Sequence, residues 1–346
     1  MKIIVAGHIC ADITPVFGTR FRDIRPAELL RPGQLVMVDS TVIGGGGCVS
    51  NTGLALRKLG MDTITIGKIG NDAFGFALKK LFSEYGASGL ICDDKSTTSY
   101  SYAIAVPGFD RIFIHDPGAN NTFVSADVSD EVLGSADYFH FGYPCLMRSI
   151  YRDGGKELVS LFKRAKSFGL ITSLDFSTIL PGSEAAEVEW EEILGKVLPY
   201  VDFFVPSFEE LCFMTDRKKY DEFASREGDI TAMIDIETDA KELAEKVLNM
   251  GSGHALIKCG EAGLYYRDNI REIVQPCFTA KEVKSGAGAG DACIAAFLAA
   301  LMIDKPIEDC VLYAAAEGAC CVEEYDSLSG VKSLDEIDER VSQGWK

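Results

Sequence analysis

The 346-residue sequence predicts an α/β fold built on a mostly parallel central sheet, and three observations lead there. Short β-rich runs alternate with helical stretches along nearly the whole chain. Those helical stretches end at glycine, and no repeat, low-complexity tract or polar linker divides the chain. The chain is therefore read as a single domain over residues 1–346.

Taken in order, "KIIVAGHI", "TITIGKIG", "YFHFG", "LITSLDFS", "DFFVPS" and "HALIKCG" are apolar, β-branched or aromatic runs of strand length. Between them "NTGLALRKLG", "FGFALKKLFSEYG", "GKELVSLFKRAKSFG" and "DAKELAEKVLNMG" carry apolar residues at helical spacing. Two segments break the alternation. Residues 13–43, with "GQLVMVDSTVIG", and residues 97–116, "TTSYSYAIAVPGFDRIFIHD", have strand character and little helix. They form either a small separate sheet over the ligand edge of the main one or edge strands of the main sheet itself. Residues 215–238 are charged and weakly periodic, as a surface insertion would be.

A formal charge of −18 argues against nucleic acid or an anionic membrane as partner, because both need clustered Lys and Arg. The short apolar run before Gly7 is neither a signal peptide nor a membrane span, so a cytoplasmic protein is expected. Eleven cysteines with no C-x-x-C pattern read as reduced, mostly buried thiols.

Two glycine clusters precede helices. "GGGGCVSNTGLALRKLG" begins at Gly44, and a tight strand-to-helix turn explains it as well as a binding site does. "VKSGAGAGDAC", Val283 to Cys293, fits neither the P-loop nor the dinucleotide pattern. What remains is a helix-opening turn whose N–H groups can hold an anion, with Asp291 beside it. Asp291 is either a first-turn carboxylate favoured by the helix dipole or the base that takes a proton from a hydroxyl attacking a phosphoryl group.

"GAGD" at Gly288–Asp291 and "GGCVSNTGLALRKLG" at Gly46–Gly60 resemble the two signatures of the ribokinase-like (PfkB) carbohydrate kinases. "GHICAD", "GKIGNDAFG", "HDPGAN", "VPSFEEL" and "IKCGEAGLYY" resemble further family motifs and fall in the family's order. The resemblance implies a ribokinase-like three-layer fold with a β-sheet lid that covers the sugar and often mediates dimerisation, hence a homodimer. It implies ATP and Mg²⁺, with a sugar or sugar-like molecule as the phosphate acceptor; a nucleoside kinase and a non-catalytic sugar- or nucleotide-binding regulator are the alternatives.

Carried over by position, Asp291 matches the catalytic base, and Gly288, Ala289 and Gly290 match the anion hole. Asp12, Gly46, Gly47 and Asn51 match the sugar-binding residues, with Arg111, His8 and His115 as further pocket candidates. Lys258, Gly260 and Gly263 lie in the nucleotide segment. Glu210 matches the metal- and phosphate-associated glutamate of an N-x-x-E motif whose asparagine is Ser207 here. Two further departures stand out. Ser285, Gly286 and Ala287 replace the usual D-T-T, leaving activation by a monovalent cation open. Cys48 replaces the lysine of "GGKG" variants, which favours an acceptor without a phosphate of its own.

Overall fold

The apolar runs bounded by glycine become the inner strands of one sheet. A computed structural model describes residues 1–109, 112–226 and 230–345. Its strands, in chain order, are β1 (Lys2–Gly7), β2 (Cys10–Val16), β3 (Ser40–Gly46), β4 (Asp62–Ile66), β5 (Lys68–Gly70), β6 (Ile91–Asp93), β7 (Tyr100–Ile104), β8 (Ile112–Asp116), β9 (Tyr138–Gly142), β10 (Ile171–Asp175), β11 (Phe203–Phe204), β12 (His254–Lys258), β13 (Leu264–Arg267) and β14 (Glu272–Gln275). The main sheet runs β14-β13-β12-β11-β10-β9-β1-β4. It is parallel from β4 to β12, and β13 and β14 add an antiparallel edge.

β1 shows why its sequence does not alternate. Ile3 and Val5 face one core with helices Cys48–Lys58, Ala73–Glu84, Ala289–Met302 and Ile307–Cys321. Ile4 and Ala6 face the other, with Arg148–Ser167, Trp190–Val197 and Lys241–Asn249. Both faces are covered, so Ile3 to Ala6 are all apolar, and the result is three layers. The element Arg148–Ser167 is interrupted: Asp153, Gly154 and Gly155 have positive φ, so the continuous helix begins where the sequence periodicity does. Where one strand is expected at "TITIGKIG" there are two. β4 takes the edge of the main sheet, and the chain then turns away so that β5 pairs with β6 in a two-stranded sheet.

The two irregular segments form a separate sheet, ordered β3-β2-β7-β8, and are not edge strands of the main one. Register places Asp12, Gly44, Ser101 and His115 on one face. The other face carries Ile43, Tyr102, Ile112 and Ile114, all solvent-exposed. β2 follows β1 after only two residues, so the small sheet hangs directly over the C-terminal ends of the parallel strands. Of residues 215–238, Arg217–Ala224 is a helix, and Phe223 and Ile230 are buried in the core. Among the described residues, no helix is long and apolar enough to cross a membrane.

One core residue is out of character. Glu317, within helix Ile307–Cys321, is fully buried; Oε1 accepts the Lys332 N–H at 2.8 Å and Oε2 has no partner. Burial raises its carboxyl to about 8, against the opposing pull of the Lys332 N–H and the Lys58 and Lys332 charges. Between the ordinary glutamate range and about 8 the native chain holds a proton that the unfolded chain has released. Stability contributed by this group is therefore present at low pH and lost as pH rises through that window. Glu317→Gln should flatten the fall in melting temperature between about pH 5 and pH 8; an unchanged slope in thermal melts would contradict the assignment.

Candidate active site

The turn from Gly288 to Asp291 is shaped by close packing. Gly288 has φ +76°, and a Cβ there would stand 2.2 Å from Ser327 Cβ, so no other residue fits. It caps helix Ala289–Met302; the Ala289 N–H donates to the Gly286 carbonyl at 3.4 Å, and the remaining first-turn N–H groups have no acceptor within the helix and lie at its positive end. Nearly all of that helix is apolar and buried, which anchors the turn.

Asp291, 4 % exposed, sits in that first turn. Its Oδ2 accepts hydrogen bonds from Asn51 Nδ2 at 3.0 Å and the Tyr143 hydroxyl at 2.7 Å; its Oδ1 accepts one from Thr52 Oγ1 at 2.9 Å. A carboxylate has about four lone-pair sites, so the fourth, on Oδ1, is the one left for an incoming hydroxyl. Burial, followed by the Asp291 and Asp175 charges, pushes the Tyr143 phenol well above the ordinary tyrosine value, so it stays a donor. Tyr143 itself is held at φ +63°, an uncommon conformation for a bulky residue and a mark of a constrained site. The Ser327 hydroxyl donates to Asn51 Oδ1 at 2.8 Å, which fixes the amide so that its nitrogen faces Asp291.

The other predicted cluster lies under the small sheet. The Asp12 carboxylate lies over Gly46, where a Cβ would be 2.3 Å from Oδ2. Cys10 Sγ donates to Asp12 Oδ1 at 3.2 Å. Gly47 caps helix Cys48–Lys58, which presents Asn51 and Thr52 to Asp291. Cys48 points into the sheet, its thiol 3.3 Å from the Gly142 carbonyl. Arg111 lies outside the described residues.

A cleft of about 430 Å³ opens beside Asp291, lined by Gly288, Gly290, Ser207, Glu210, Lys258 and Gly260 among others. Ala289 begins the helix at its rim. Gly263 is not in this group; it forms the turn from β12 to β13, where a Cβ would meet the Gln275 carbonyl. Ser207 and Glu210 form a reciprocal cap: the Ser207 N–H donates to Glu210 Oε2 at 2.7 Å, and the Glu210 N–H donates to Ser207 Oγ at 3.2 Å. The Lys258 ammonium donates to Asp175 Oδ1 at 2.6 Å and to the Val205 carbonyl at 2.8 Å, its stem passing over Gly290. Burial works against that ammonium, but Asp175, Glu210 and nearby Asp291 outweigh it and hold its pKa above the ordinary lysine value. Asp175 is raised by its own burial, with Lys258 opposing. Thr231, from the charged segment, also lines the cleft.

Tyr143, Thr52, Asp175 and Ser327 were not singled out from the sequence. A positional signal exists for two of them: Asp175 ends β10 and Tyr143 directly follows β9, at the C-terminal edge where open α/β sheets bind ligands. Among the described residues, no three His, Cys, Asp or Glu side chains group closely enough to hold a metal by themselves.

Comparison with known proteins places the chain in a family. The sequence profile of the pfkB family carbohydrate kinases matches residues 14–333. The chain is 23 % identical to Fructokinase-2 of Oryza sativa subsp. japonica, over 99 % of this chain and 94 % of that one. It is 26 % identical to an uncharacterized sugar kinase of Archaeoglobus fulgidus, over 82 % of this chain and all of that one. In fold it resembles the Arabidopsis thaliana ribokinase solved with ribose and ATP, with a TM-score of 0.73 and 20 % identity over 98 % of this chain and 97 % of that one. The ATP-bound fructokinase of Xylella fastidiosa gives a TM-score of 0.73 and 19 % identity over 99 % and 98 % of the two chains. The profile spans most of the sequence, and the chain belongs to the pfkB family of carbohydrate kinases.

Proposed function

We propose that the protein transfers the γ-phosphoryl group of ATP to a hydroxyl of a sugar, with Asp291 as general base. The observation that carries this reading is the single open acceptor position on Asp291 Oδ1, adjacent to the Gly288–Gly290 turn. A hydroxyl bound there has its proton acceptor on one side and the anion hole on the other, the arrangement in-line transfer requires. Asp12, on the inner face of the small sheet, binds the far hydroxyls of the sugar. Lys258 and the first-turn N–H groups offset charge on the transferring group.

The cleft suits Mg²⁺. Glu210 and Asp175 present hard carboxylate oxygens to it, and this ion is usually held by one or two carboxylates together with the nucleotide's phosphates. When bound, Mg²⁺ neutralises phosphate charge; Glu210, kept in place by its cap with Ser207, is the residue that would hold it.

The exposed Ile43, Tyr102, Ile112 and Ile114 face is proposed to pack on the same face of a second copy, since its opposite side is committed to the sugar. Light scattering of the purified chain should give a dimer, with Ile114→Asp monomeric. A wild-type monomer at micromolar concentration would contradict this.

A coupled ADP-release assay over neutral sugars, sugar acids and nucleosides tests the main reading. Turnover is expected with a sugar, and Asp291→Asn should lower kcat by roughly 10²–10⁴ with ATP affinity nearly unchanged. Near-wild-type kcat in that variant would remove Asp291 as the base. Ligand-dependent thermal stabilisation without turnover on any compound would instead make the protein a binding regulator.

A further inference from the structure

His8 is the least satisfied polar side chain near the site, and the kinase chemistry above gives it no role. It follows β1 directly and is 2 % exposed, and neither ring nitrogen has a hydrogen-bond partner. Leaving buried donors and acceptors unpaired is costly, and native structures rarely tolerate it without a reason. Its surroundings supply the reason. Nδ1 lies against Gly47 of the sugar-binding turn, where a Cβ would come within 2.5 Å. The ring is 5.9 Å from that of Tyr143, whose hydroxyl is bonded to Asp291. On the lid side it is 5.4 Å from the ring of His115, which is solvent-exposed and bonded to Ser101 Oγ at 2.9 Å.

His8 thus stands between the base and the inner face of the lid that carries Asp12. There is room for a ligand on that face. Gly44 pairs with Asp12 across β2 and β3, and a Cβ built there meets nothing within 4 Å. The ring neighbours of His8 are Tyr143, which is bonded to Asp291, and His115, which shares the lid face of Asp12.

We infer that His8 is a specificity-determining residue that hydrogen-bonds a third, un-ionised hydroxyl of the acceptor, between the one phosphorylated and the one held by Asp12. This rests on the kinase reading above. The chemistry favours a hydroxyl over a carboxylate. A neutral imidazole offers one donor and one acceptor, which a hydroxyl matches, whereas a carboxylate would require the imidazolium. Burial, and then His115, lowers the His8 pKa well below the ordinary histidine value, which keeps the ring neutral. The acceptor is therefore a sugar or polyol with a free hydroxyl at that carbon, and analogues lacking it are rejected.

The test combines two readouts on the full chain. Wild type, His8→Phe and His8→Gln are assayed with D-fructose, D-ribose, neutral hexoses and hexitols, and the monodeoxy analogues of whichever is turned over best. Wild type should disfavour one monodeoxy analogue by roughly 10² or more in kcat/KM. His8→Phe should lose that discrimination by becoming poor on the parent sugar, with KM for ATP unchanged, and His8→Gln should recover part of it. Thermal melts without ligand give the second readout. Because the His8 ring makes no hydrogen bond in the unliganded fold, and its backbone bonds to Gly142 and Val49 do not depend on the side chain, His8→Phe should melt at or above the wild-type temperature. Discrimination retained in His8→Phe, or a melting temperature several degrees lower, overturns the inference while leaving the kinase reading standing. A wild-type protein that phosphorylates none of these sugars overturns the kinase reading, and this inference with it.

Discussion

The site depends on one buried carboxylate being held from three directions. Asn51 and Thr52 come from the first turns of helix Cys48–Lys58, Tyr143 comes from the end of β9, and Asp291 itself opens helix Ala289–Met302. Partners 148 to 240 residues away in sequence therefore meet at one side chain. The two helices belong to the same apolar layer, so the packing that forms the core also sets the distance between sugar turn and anion hole. Ser327 extends the arrangement: its hydroxyl orients the Asn51 amide while its Cβ fills the space that keeps Gly288 a glycine.

Charge sets a second constraint. The chain carries −18, and the cleft collects Asp175, Glu210 and Asp291, yet the ligand proposed for it is a polyphosphate. The compensation is local. Lys258 is neutralised by Asp175 in the unliganded protein and lies across Gly290, so an arriving phosphate meets a cation already in place. Backbone N–H groups at the helix start add positive potential without adding side chains.

The layers, the parallel sheet and the helix-opening turn were readable because each follows from a local pattern: continuous apolar runs in strands covered on both faces, helical spacing between them, and a run of glycines before a helix. The lid was readable only as a break in that pattern, since strand character alone does not say which sheet a strand joins. Its separation from the main sheet became definite only with the pairing of β2 to β7, residues about ninety positions apart. The site was legible where a motif names a residue, as at Asp291, Asn51 and Glu210. It was not legible at Tyr143, Thr52, Asp175 and Ser327, whose importance lies in tertiary hydrogen bonds. Gly263 looks like the other glycines of its segment, yet its positive φ serves the β12–β13 turn. Ser207 reads as a lost amide, but its short side chain completes a helix cap with Glu210, which holds one carboxylate oxygen on the Ser207 N–H at the wall of the cleft.

Asp291 is proposed to take a proton and never a phosphoryl group, because two donors occupy Oδ2, Thr52 occupies part of Oδ1, and one acceptor position is left for a hydroxyl. The stereochemical course of transfer from ATP made chiral at the γ-phosphorus tests that directly. Inversion at phosphorus in the sugar phosphate is the predicted result, from a single in-line displacement by the hydroxyl. Retention would mean two displacements through a phosphorylated enzyme, and would contradict the assignment of Asp291 as a base.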